Sequence, residues 1–121
     1  MEDAMNQALT TVSLTEVVDE LLAKAAASSS RREGRTVHGG REHALRQTLI
    51  ALLAGEQMQE HESPGEATLQ VLRGRVRLVV GPDSTELAAG DYLVIPPARH
   101  SLDAVEDSVA LLTTSMPGHD H

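Results

Sequence analysis

A chain of 121 residues suits one domain with one modest core. Eighteen acidic against ten basic side chains leave a net charge of −8, and Tyr92 is the single aromatic residue, so the chain neither attracts a phosphate backbone nor offers a stacking surface for bases. The absence of cysteine removes disulfides, thiolate metal sites and cysteine nucleophiles. No apolar run is long enough for a membrane span, and the acidic start Met1-Glu2-Asp3 is unlike a signal peptide, so a cytoplasmic protein is expected.

Residues 1–12 are polar and unpatterned. Ser13, followed three residues later by Glu16, has the spacing of a capping box, and Leu14, Val17, Val18, Leu21, Leu22 and Ala25 recur at helical spacing, which predicts a helix over about 14–27. Its apolar stripe fits two uses: packing on its own domain, or covering a partner subunit. Ser28-Ser29-Ser30 ends the pattern, and Arg31-Arg32-Glu33-Gly34-Arg35 reads as a solvated basic linker.

From Thr36 the hydrophobic period changes from 3.6 to 2. Strands are expected over 44–54, 58–63, 67–73, 75–80, 85–88, 92–95, 100–105 and 109–114. Arg75 and Arg77 lie on one face of their strand, Val76, Leu78 and Val80 on the other. Pro64-Gly65 and Gly81-Pro82-Asp83-Ser84 read as turns. Many short strands separated by Gly/Pro turns indicate an all-β sandwich or barrel. The chain divides on this reading into an N-terminal extension (1–35), a β-domain (36–116) and a tail (117–121).

Two segments carry the chemistry. Gly55 is followed after five residues by His61, then Ser63, Ala67 and Gly74. Gly90-Asp91-Tyr92-Leu93-Val94-Ile95-Pro96 leads through Ala98 to His100 and Ala104. These residues resemble the two motifs of the cupin superfamily. The first runs Gly, five residues, His-x-His, three or four residues, Glu, six residues, Gly. The second runs Gly, five residues, Pro-x-Gly, two residues, His, three residues, Asn. The resemblance implies a jelly-roll β-barrel, all-β with an N-terminal α-helical extension, and covers roughly residues 44–114.

It also implies a metal held by three histidines and a glutamate, a ligand set suited to a divalent Fe, Mn, Ni, Zn or Cu ion. Here His61 and His100 keep their places, while Ser63 stands for the second histidine, Ala67 for the glutamate and Ala104 for the asparagine. Glu66 is the nearest substitute ligand, one place early, and a one-residue shift in a regular strand reverses the face. Two histidines without further donors also suit a lumen that binds a small polar molecule, with Ser63, Gln57, Gln59, Gln70 and Arg99 as further polar candidates.

Three functions follow. The first is a binding cupin with a degenerate or vacant metal site. The second is a metal-dependent enzyme of oxygenase, isomerase or lyase type, with His61, His100 and Glu66 as ligands. The third is a structural domain docking through its helix. A homodimer paired through edge strands is expected. His119-Asp120-His121 reads as an adventitious chelator, and His38 and His43 receive no role.

Overall fold

The structure, a computed structural model, describes residues 9–40, 42–61 and 65–115, with Glu60 and His61 in their backbone alone. Helix α1 (Leu14–Ala27) precedes nine strands: β1 (Arg32–His38), β2 (Leu45–Leu52), β3 (Gln57–His61), β4 (Ala67–Arg73), β5 (Arg75–Val80), β6 (Asp83–Ala88), β7 (Tyr92–Val94), β8 (His100–Ala104) and β9 (Ser108–Ser115). Ser13 caps α1 as its spacing predicts, its hydroxyl accepting from the Glu16 amide at 3.3 Å.

The strands form two antiparallel sheets. One has the order β1-β2-β9-β4-β7, the other β3-β8-β5-β6. This is the jelly-roll arrangement, and period-2 alternation makes the five-stranded sheet serve two cores at once. In β2, Ile50 and Leu52 face the second sheet while Leu49 and Ala51 face α1. In β9, Ala110 and Leu112 do the first and Val109 and Leu111 the second. The inter-sheet core gathers Leu52, Leu69, Val71, Val76, Leu78, Leu87 and Leu102, so aliphatic side chains take the place that Phe, Tyr or Trp would fill.

Helix α1 lies on its own domain. Val17, Val18, Leu21 and Ala25 are buried against Leu49, Ala51, Leu53 and Val109. Two exposed ion pairs accompany this burial, Arg73 to Asp19 at 2.8 Å and Arg35 to Glu20 at 3.1 Å. Such pairs contribute little, and the apolar stripe holds the helix. The stripe is therefore not available for a docking partner. Among the described residues, no helix is long and apolar enough to cross a membrane.

One expectation is corrected. The basic segment read as a linker is strand β1, which runs through the 35/36 boundary and pairs with β2 from Arg32↔Leu52 to Thr36↔Thr48. Its charges suit an edge strand, and backbone pairing does not need an apolar pattern in the strand itself. Arg32 and Arg31 also tie the two sheets together. Arg32 Nη2 donates to the Gln57 carbonyl at 3.0 Å and to Glu56 Oε1 at 3.3 Å, and Arg31 Nε lies 3.4 Å from Glu56 Oε2.

Each sheet leaves two edges, so the jelly roll has two seams without a ladder. One separates β1 from β3, the other β6 from β7.

Candidate functional site

Among the described residues, His100 is the polar side chain that lines the lumen. Pro96 and Pro97 follow β7, where proline cannot continue a ladder, and the chain turns at Ala98, whose amide donates to the Pro96 carbonyl at 2.8 Å. His100 then opens β8 with 3% of its surface exposed. Its Nδ1 lies 2.9 Å from the Ala98 carbonyl oxygen. A carbonyl only accepts, so Nδ1 carries the proton, and in the neutral ring Nε2 bears the lone pair.

The register of β3 on β8 pairs His61 with His100 across the two strands. A bulge between Met58 and His61 precedes this pair. The two segments singled out in the sequence thus meet through backbone pairing.

The cavity beside His100 is small, and among the described residues its wall is almost wholly apolar. Ile50, Met58, Leu69, Leu78, Ile95, Leu102 and Leu112 line it with His100, and it offers about 20 Å³ of room for water centres. That is space for about one water molecule.

The remaining site candidates lie elsewhere. Glu66 is exposed; its amide donates to Ser115 Oγ at 3.0 Å and its carbonyl accepts from the Ser115 amide at 2.9 Å. Ala67, at the place of the family's glutamate, is 2% exposed and belongs to the lumen core. The one-residue shift has thus put the carboxylate outside and a methyl group inside. Gln57 and Gln70 are exposed because Met58 and Leu69, their neighbours in sequence, take the inward positions. Gln59 and Arg99 are exposed as well. None of these four lines the cavity, which corrects their assignment to the lumen. Ser63 and the chelating sequence His119-Asp120-His121 lie outside the described residues. Among the described residues, no three His, Asp or Glu side chains converge as a metal site.

Sequence reasoning missed Met58 and Ile50. Both line the lumen and also a groove along the β1/β3 seam, of about 350 Å³, that continues over Arg32, Glu33, Gly34 and Leu52. The mostly apolar run within 44–54 gives Ile50 no facing of its own, and nothing in the sequence marks a seam.

Comparison with known proteins agrees with this architecture. The sequence profile of the cupin domain matches residues 48–116, more than half of the chain, and the chain belongs to this family. A conserved protein of unknown function from Streptococcus pyogenes is similar over 92% of this chain and 90% of its own, with a TM-score of 0.71 and 23% identity. An RmlC-like cupin protein from Desulfovibrio desulfuricans is 25% identical, with a TM-score of 0.62, over 69% of this chain and 81% of its own. Salicylate 1,2-dioxygenase from Pseudaminobacter salicylatoxidans is 21% identical, with a TM-score of 0.69, over 83% of this chain but only 33% of its own. No curated protein matches the chain significantly.

Among the described side chains, the donor set does not fit the metal that the family resemblance implies. The glutamate position holds a buried methyl group, and the neighbouring carboxylate is exposed.

Proposed function

We propose that the protein binds, without turning it over, a small and mainly apolar molecule carrying one hydrogen-bonding group, with that group meeting His100. The observation that carries this reading is the lining of the lumen, which among the described residues consists of seven apolar side chains and one histidine. The apolar wall narrows the sequence expectation of a polar ligand, because a strongly polar molecule would lose its hydration without compensating bonds. A hydroxyl suits the site, since it can donate to the ring nitrogen that carries the lone pair. Buried Ala67 supports binding over metal-dependent turnover, and the cis-packed helix speaks against a docking module.

The test is calorimetric titration with 4-propylphenol and propylbenzene, two molecules of similar shape that differ by one hydroxyl. The wild type should bind the phenol more tightly, and His100→Leu should remove that preference. The reading fails if neither probe binds saturably, or if the preference survives in the variant.

A further inference from the structure

The groove along the β1/β3 seam has a floor of Ile50, Leu52 and Met58 and a rim of Arg32 and Glu33. Ile50 and Met58 belong to the lumen as well, so these two side chains form the partition between lumen and groove. Ile50 is β-branched and stiff at χ1, whereas Met58 is unbranched and adaptable. Met58 is thus the movable half of the partition. The lumen alone holds about one water molecule, but joined to a groove of about 350 Å³ it reaches the size of ordinary small-molecule sites.

Gly34 is the second observation. It stands in the interior of β1, directly paired with Ile50. Val37 packs with the helix cluster and Arg35 pairs with Glu20 of α1, so by alternation position 34 belongs to the opposite face, the one that borders the groove. Glycine weakens a strand interior, and it is tolerated where the backbone bends oddly, where a side chain would collide, or where something approaches closely. The first two reasons do not hold here. Gly34 is not among the residues with positive φ, and an added Cβ would meet only the Leu49 carbonyl oxygen, at an ordinary 3.7 Å.

We propose that the β1/β3 seam is the mouth of the lumen site: the ligand passes over the bare backbone at Gly34, displaces Met58, and lies with its apolar body across both spaces. Gly34 and Met58 are then the residues that set which shapes enter. This rests on the lumen-binding reading above and adds the route and the size filter.

The test uses 4-propylphenol with four full-length proteins: wild type, Gly34→Val, Met58→Ala and Thr85→Val, the last on the groove of the opposite β6/β7 seam. Gly34→Val should melt at or above the wild-type temperature, because valine suits a strand, yet bind about tenfold or more weakly. Met58→Ala, with its partition removed, should bind at least as tightly as wild type and admit 4-pentylphenol, which the wild type binds poorly. Thr85→Val should bind as wild type. Unchanged binding by Gly34→Val, or a loss confined to Thr85→Val, would overturn the mouth while leaving lumen binding intact. If neither wild type nor Met58→Ala bound any probe, the lumen reading itself would fall, and the mouth with it.

Discussion

Gly74 joins β4 to β5 in a left-handed conformation, with φ +83°. An alanine there first costs about 1–2 kcal/mol, because L-residues are disfavoured at such angles. Its methyl group would then collide with the Asp107 carbonyl oxygen and Ser108 Oγ, and would lie 2.8 Å from Ser108 Cα, closer than real Cβ atoms come. Relief requires moving Ser108, which is 1% exposed and holds the junction. Its hydroxyl accepts from the Arg75 amide at 2.9 Å and lies 3.0 Å from the Arg75 carbonyl and 2.7 Å from that of Glu106. A hydroxyl has one proton, so it serves these two carbonyls as a shared donor. Losing about two net hydrogen bonds adds about 1–3 kcal/mol, for a total of about 2–5 kcal/mol.

Gly90 is the control. It too has positive φ, +95°, but nothing lies within 4 Å of an added Cβ. Gly90→Ala should therefore cost only the backbone part, about 1–2 kcal/mol. Urea unfolding of the three proteins measures both, with the midpoint of Gly74→Ala falling well below that of Gly90→Ala at unchanged slope. Equal midpoints for the two variants would refute the reasoning, since only the collision separates them.

Leu21→Ala in α1 should cost about 2–5 kcal/mol, because Leu21 is fully buried on its own sheet; a urea midpoint unaffected by the change would contradict that packing. The Glu86 carboxyl lies below its ordinary 4.5 chiefly because Arg77 donates a hydrogen bond to it at 2.7 Å, with Arg75 adding attraction. A depressed carboxylate contributes stability that is complete above pH 4.5 and lost as pH falls through the lower folded value. The stability gap between wild type and Glu86→Gln should then shrink only on acidification below pH 4.5, and a gap unchanged down to about pH 3 would disprove it. Elemental analysis of untagged protein ending at Gly118 should find the lumen without a stoichiometric transition metal after incubation with Fe, Mn, Ni, Zn and Cu. Metal that disappears in a His61→Ala/His100→Ala double variant would reverse the reading of the site.

The sequence made the strands legible where one face is buried. Alternation located β4 and β5 at Ala67–Arg73 and Arg75–Val80, because each of these strands must hide half its side chains. It hid β1, whose residues stay partly exposed and whose place depends on hydrogen bonds to β2. Within the site, motif spacing singled out His61 and His100, and the backbone register of β3 on β8 pairs these two positions. The polar candidates were less legible. Strand parity sends Gln57 and Gln70 outward once Met58 and Leu69 turn in, but parity needs a known phase, and the bulge between Met58 and His61 shifts the phase of β3 itself. The groove was not readable at all, since it is made of edges that no sequence pattern announces.

The five-stranded sheet is the only wall between two apolar interiors, and this decides where the protein can be cut. The span matching the cupin domain begins at residue 48, inside β2, so it omits α1, all of β1 and the start of β2. A chain trimmed to that span would leave Leu49, Ala51 and Val109, now under 1% exposed, as bare hydrocarbon on the back of the sheet. Such a patch drives association and precipitation. The packed unit of this protein is thus larger than its recognisable domain: covering the back of the sheet takes the helix that starts at the Ser13 cap.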